Sequence, residues 1–150
     1  MLGRPLEAVL AVVVGRIARL RELVADAHAI VVTVPLTDET RGLIDRETIE
    51  RMRDGAVFVN VGRGKVVDED ALIDALLSGK LAGAALDVTA KEPLPPESPL
   101  WELENVILSP HTAALRRDED VRILELFADN LRRYVDGRPL RNLVKVSDGH

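Results

Sequence analysis

Gly55-Ala56-Val57-Phe58-Val59-Asn60-Val61-Gly62-Arg63-Gly64 reads as a turn, a strand and a second turn. The apolar run opens after one glycine and stops at two more. It is continuous rather than alternating. A run of that kind suits a strand covered on both faces, as in a parallel sheet.

Three further runs repeat the theme. Ala29-Ile30-Val31-Val32-Thr33-Val34 ends at Pro35, Gly83-Ala84-Ala85-Leu86-Asp87-Val88 follows, and Asn105-Val106-Ile107-Leu108 ends before Pro110. Helical patterns fall between them. Leu20, Leu23, Val24 and Ala27 predict a helix from Ile17 to Ala27. Asp45 is placed to cap a short helix through Met52, which Gly55 ends. Asp68 is placed to cap another, with Leu72, Ala75 and Leu76 inward and Gly79 at its end. A last helix, from about Asp118 to Val135, aligns Val121, Leu124, Phe127, Ala128, Leu131 and Tyr134 on one stripe. Glu92 to Pro99 is a proline-rich loop, stiff because proline fixes φ.

Strand and helix in alternation define an α/β fold built on a parallel sheet with flanking helices. Residues 17–114 form that core, 115–136 the last helix and 137–150 a tail. Residues 1–16 are less clear: Ala8 to Val14 reads as an edge strand or a buried helical turn.

Bulk properties narrow the function classes. The 150 residues suit one domain, and the formal charge of −5 argues against nucleic acid or anionic membrane as a partner. Arg16, Arg19 and Arg21 cluster without aromatic neighbours and read as a solvated face. The absence of cysteine excludes disulfides and thiolate chemistry. His28, His111 and His150 have no spacing suited to a metal. The apolar run Ala8 to Val14 is too short to span a bilayer. The chain is expected to be cytoplasmic and metal-free.

In open α/β sheets, ligands bind at the carboxyl ends of the strands. The loops there carry Val34-Pro35; Val61-Gly62-Arg63-Gly64; Asp87 with Glu92; and Ser109-Pro110-His111. Gly62-Arg63-Gly64 is neither a Walker loop nor a full G-x-G-x-x-G, and taken alone it also reads as a surface turn. A guanidinium between two glycines can grip a carboxylate through paired hydrogen bonds. A carboxylate at the end of an apolar strand, such as Asp87, needs a partner or a ligand. A lone histidine is usually structural, but His111 shares its sheet edge with Arg63, Asp87 and Glu92.

Four ordered segments carry a resemblance: Val34-Pro35-Leu36-Thr37 with Glu39-Thr40, Asn60-Val61-Gly62-Arg63-Gly64 with Val67-Asp68, Ala84-Ala85-Leu86-Asp87-Val88 with Glu92-Pro93-Leu94-Pro95, and Ser109-Pro110-His111. With the ending Asp129-Asn130-Leu131-Arg132-Arg133-Tyr134, Gly137, Pro139-Leu140 and Asn142, the chain resembles the D-isomer-specific 2-hydroxyacid dehydrogenases, in the C-terminal half of their NAD-binding domain. The resemblance runs from about Ile17 to Val144. It implies a partial Rossmann-like, doubly wound sheet whose first βαβ half is missing, a small 2-hydroxy or 2-oxo acid as substrate, and NAD or NADP as cofactor. It implies that Arg63 holds the substrate carboxylate and helps polarise the 2-oxo group, that His111 exchanges the proton at the carbonyl oxygen, and that Glu92 pairs with that histidine. Asp87 falls near the nicotinamide carboxamide, and Val34, Pro35, Val61 and Gly62 line the cofactor, beside Arg63 and His111.

These roles are physically coherent. Reducing a 2-oxo acid builds negative charge on the carbonyl oxygen, where a guanidinium and an imidazolium stabilise it. A carboxylate beside an imidazole favours the protonated ring. Lys91, next to Glu92, is placed to compete for that carboxylate. The glycine-rich pyrophosphate loop and the separate substrate domain of the family have no counterpart here; Gly15-Arg16-Ile17 does not supply the loop. Two readings therefore stand: a dehydrogenase fragment, nearly inactive in isolation, or a non-catalytic dinucleotide-binding or dimerising module on the same half-domain. A generic phosphate- or acyl-binding α/β domain would require the alignment of Arg63, Glu92 and His111 to be accidental. The bare edge at Ile30 invites cover by Ala8 to Val14, or by a second chain in a homodimer.

Overall fold

The computed structural model describes residues 19–144. The expectations for Ala8 to Val14, for Gly15-Arg16-Ile17 and for the end of the tail lie outside the described residues. Two compact units divide the chain, Met1–His111 and Thr112–His150.

The first unit is a parallel four-stranded sheet of β1 (Ala29–Val32), β2 (Ala56–Asn60), β3 (Leu81–Leu86) and β4 (Val106–Leu108), in the order β1-β2-β3-β4. Helices α1 (Leu20–Leu23), α2 (Arg46–Arg51) and α3 (Glu69–Leu77) accompany it. This is the Rossmann-like arrangement expected, with the strand–helix alternation in the predicted order.

Local chemistry explains the elements. The Asp45 carboxylate accepts from the Thr48 amide at 2.8 Å and from its hydroxyl at 2.6 Å, closing the first turn of α2. These bonds hold its pKa below the ordinary aspartate value, with Arg21 adding to the effect. The Asp68 carboxylate caps α3 by accepting from the Ala71 amide at 3.0 Å, and Gly79, at φ 75°, turns the chain out of that helix. Helix α1 is shorter than predicted. His28 already gives its carbonyl to the Val57 amide, so the chain must be extended by then, and the turn after Val24 takes the remaining residues.

One apolar cluster joins the layers. Ile30, Val32, Phe58, Leu81 and Leu86 from the sheet pack with Ile49 and Met52 of the α2 segment and with Leu72 and Leu76 of α3. Phe58 is fully buried. The expectation of strands covered on both faces is corrected here. Burial alternates along β1 and β2, and Val31, Val57 and Ile107 on the other face are exposed. The described helices of this unit contribute to a single core cluster. On the opposite face the register partners Val59 and Ala85 are only partly buried.

The second unit is built on α4 (Glu119–Val135). The Asn130 side chain accepts from the Arg141 amide at 2.8 Å and donates to its carbonyl, while Asp129 holds Arg133 and Arg141. The tail thus folds back on its helix. The predicted stripe exists, but α4 has no buried residue. Val121, Leu124, Phe127, Leu131 and Tyr134 all stand exposed.

Candidate active site

Every predicted site residue falls in the first unit, on loops that leave the carboxyl ends of the strands. Val34 and Pro35 follow β1, Val61, Gly62 and Arg63 follow β2, Asp87 and Glu92 follow β3, and His111 follows β4.

Backbone contacts lock these loops together. The Gly42 amide donates to the Lys65 carbonyl, Ile44 to Val66, and Asp68 to Ile44, so the first two loops form a short ladder. Thr40, buried, donates its hydroxyl to the Pro35 carbonyl at 2.6 Å and accepts from the Thr37 amide, shaping the turn after β1. The Glu69 carboxylate accepts from the Ala90 amide at 2.7 Å, tying the start of α3 to the loop after β3.

The two glycines around Arg63 owe their identity to close approach. A Cβ on Gly62 would lie 2.8 Å from the Val34 carbonyl oxygen, and one on Gly64 would collide with the backbone of Thr89 and Ala90. Arg63 therefore sits at the point where the three loops converge. Its Nη1 donates to the Gly62 carbonyl at 2.7 Å. Among the described residues no carboxylate forms an ion pair with this exposed guanidinium.

His111 Nδ1 lies 2.8 Å from Glu92 Oε2. The other carboxylate oxygen of Glu92 accepts from the Thr89 amide at 3.2 Å. The hydrogen bond from His111 is the main cause that holds the Glu92 carboxyl below the ordinary glutamate value. Partial burial works against it, and Thr89 and the charges of His111 and Arg63 add to it. Glu92 thus feels the guanidinium as well as the imidazole. The expectation that Lys91 competes for this carboxylate is corrected: both oxygens of Glu92 are engaged elsewhere, and Lys91 is exposed.

The backbone of His111 has a φ of 56°, a left-handed conformation uncommon outside glycine. Its amide donates to the Asp87 carbonyl at 2.9 Å and to Ser109. Asp87 is buried, and its carboxylate accepts from the Ser109 hydroxyl. Asp87, the residue after β3, therefore holds the histidine loop through both backbone and side chain. The Glu92–Pro93 peptide bond is cis.

Sequence reasoning passed over Asn60, Thr40 and Ser109. Asn60 carried the clearest signal, since a polar side chain inside an apolar strand must find hydrogen-bond partners. Glu92 and His111 are in contact, the charge of Arg63 reaches Glu92, and Asp87 is hydrogen-bonded to the histidine loop. Exposed Pro35 and Val61 and half-buried Val34 add apolar surface on the first two loops. This combination of apolar surface, an exposed guanidinium and an imidazole–carboxylate couple has the chemistry a flat heteroaromatic ring beside a small acid would require.

Comparison with known proteins agrees with this fold. The chain belongs to the D-isomer specific 2-hydroxyacid dehydrogenase family, NAD binding domain, whose sequence model matches residues 5–113. It is 44% identical over 124 residues to D-3-phosphoglycerate dehydrogenase of Archaeoglobus fulgidus, covering 83% of this chain and 24% of that protein. Glyoxylate reductase of Korarchaeum cryptofilum is 44% identical over 125 residues, with coverage of 83% and 38%. A crystal structure of a D-isomer specific 2-hydroxyacid dehydrogenase from Xanthobacter autotrophicus in complex with NADPH and MES superposes with a TM-score of 0.79 at 43% identity, covering 89% of this chain and 54% of that one. The NADPH-dependent glyoxylate/hydroxypyruvate reductase of Sinorhizobium meliloti, in complex with NADP and sulfate, gives 0.78 at 34%, with coverage of 89% and 43%. The chain spans less than half the length of these curated relatives.

Proposed function

We propose that the chain carries the acid–base and anion-binding groups for NAD(P)-dependent interconversion of D-2-hydroxy acids and 2-oxo acids. The observation that carries this reading is the 2.8 Å His111–Glu92 contact, with the Glu92 carboxylate also sensing Arg63. The guanidinium, free of carboxylate partners among the described residues, takes the substrate carboxylate and leans on the 2-oxo group. Glu92 fixes the imidazole at Nδ1, leaving Nε2 to deliver a proton to the carbonyl oxygen in reduction and to remove it in oxidation. Bound NAD(P)H supplies the hydride. Val34, Pro35, Val61, Gly62 and Asp87, with Arg63 and His111, are the residues that would hold its nicotinamide end.

The 150 residues contain no G-x-G-x-x-G, so the isolated chain is expected to bind dinucleotide weakly and to turn over little. On this reading residues 17–114 and the helix at 115–136 form one partial nucleotide-binding domain acting in the cytoplasm. The exposed stripe of α4 supports a second component, self-association as a homodimer.

Titration of ¹⁵N-labelled chain with NADH and with oxamate, a stable 2-oxo acid analogue, tests the site. Oxamate should shift the signals of Arg63 and His111, and Arg63→Gln should abolish the effect. Oxamate binding that ignores Arg63→Gln would end this reading of the arginine. Submicromolar NADH affinity with turnover of glyoxylate or hydroxypyruvate would overturn the expected inactivity of the isolated chain.

A further inference from the structure

We infer that Asn60 is the positioning residue of Arg63. This rests on the reading of Arg63 as the group that holds the substrate carboxylate. Asn60 is the last residue of β2 and only 2% exposed. Its Oδ1 accepts from the Gly62 amide at 3.0 Å, and its Nδ2 donates to the Arg63 carbonyl at 3.2 Å. The amide orientation is fixed by its partners, because a backbone N–H needs the oxygen and a backbone carbonyl needs the NH₂.

One planar side chain therefore grips both ends of the Gly62–Arg63 unit. The grip adds to the backbone bond at the Arg63 carbonyl and supplies the partner of the Gly62 amide. Arg63 has an extended backbone, with φ −145° and ψ 138°, and lies between the Val61 amide, bonded to Val32, and the Val66 amide, bonded to the Arg63 carbonyl. The Gly62 amide has the Asn60 oxygen as its partner, and without it a buried N–H is orphaned. A flanking glycine has the widest conformational freedom of any residue, so loss of the Asn60 brace loosens Gly62-Arg63 and widens the range of guanidinium positions. A carboxylate-binding arginine cannot afford that spread, since affinity depends on the fork being held in place before the ligand arrives.

The side-chain chemistry supplies its own control. A protonated carboxyl at position 60 presents the same pair of groups as the amide, one acceptor and one donor. An ionised one presents acceptors only and faces the Arg63 carbonyl with its lone pairs. Asn60→Asp should therefore rescue the loop when protonated and fail when ionised.

The test uses the full ¹⁵N-labelled chain, with heteronuclear NOE at Gly62, Arg63 and Gly64, oxamate affinity followed by chemical shift, and a thermal melt for folding. Asn60→Ala should lower the NOE at these residues and weaken oxamate by about three- to ten-fold for each bond lost. For Asn60→Asp, loop order and oxamate affinity, each taken relative to wild type at the same pH, should recover as the pH falls. A merely structural role would lower the melting temperature of both variants and leave the loop order and oxamate affinity of the folded chain unchanged. Unchanged order at residues 62–64 in Asn60→Ala, or an Asn60→Asp to wild-type ratio flat with pH, overturns the assignment. If Arg63→Gln leaves oxamate binding intact, it is the role of Arg63 that falls, and loop order in the Asn60 variants still decides what Asn60 does.

Discussion

Glu92 and His111 are nineteen residues apart in the chain, yet the carboxylate Oε2 and the imidazole Nδ1 meet at 2.8 Å. The pair joins the loops after β3 and β4. The Glu92 carboxyl is held below its ordinary value, first by the His111 hydrogen bond. Its ionised form is therefore favoured in the folded state. The stabilisation is fully present above the unfolded-state value and is lost as pH falls through the depressed folded value. His111→Ala should move the Glu92 titration upward, read by carboxyl ¹³C shifts. Arg63→Gln should move it less, because the arginine charge is the smallest of the contributing causes. A Glu92 titration indifferent to His111→Ala would refute the pairing in solution.

The glycines around Arg63 should tolerate no methyl group. Gly64→Ala drives a Cβ into the backbone of Thr89, and Gly62→Ala places one 2.8 Å from the Val34 carbonyl oxygen. Overpacking of this kind costs about 1–3 kcal/mol. Gly64→Ala should be the more damaging, because its Cβ would overlap the Thr89 carbonyl group and the Ala90 nitrogen more deeply than the Cβ of Gly62→Ala meets Val34. Urea unfolding of the two variants ranks them, and equal stability to wild type would contradict the loop convergence.

Core and cap should separate in magnitude. Phe58 is fully buried in the cluster between sheet and helices, so Phe58→Ala should cost about 3–5 kcal/mol. Asp45→Ala removes the capping bonds to Thr48 and should cost about 0.5–2 kcal/mol. Thermal or chemical denaturation gives both numbers. A cap variant more damaging than the core variant would contradict the burial of Phe58 in the main cluster.

The stripe on α4 predicts association rather than stability. Phe127→Glu should leave thermal stability almost unchanged, since Phe127 is 65% exposed. Sedimentation should show wild type self-associating and the variant shifted towards monomer. A monomeric wild type would remove the homodimer component of the proposal.

The placement of the candidate site residues was largely legible because its determinants are local. Arg63, Asp87, Glu92 and His111 each follow an apolar run, and such runs in alternation with helices place them at one sheet edge. Asn60 was not legible in its role. Its partners are two and three residues away, but whether it faces the loop or the open side of the sheet depends on the parity of β2. Lys91 was misread because adjacency in sequence says nothing about reach. The loop geometry instead gives Glu92 to His111 and Thr89.

The sequence by itself determined the strands, the caps at Asp45 and Asp68, the exit at Gly79 and the order of the four motifs. Each rests on a short-range rule: apolar runs, side-chain capping of orphan amides, and a residue free to adopt positive φ. Tertiary structure alone decided which face of the sheet is buried, why two glycines must flank Arg63, and that His111 adopts a left-handed backbone held by Asp87. Those features depend on strand register and on backbone passing within contact distance of backbone, and such long-range contacts leave no periodic trace along the chain.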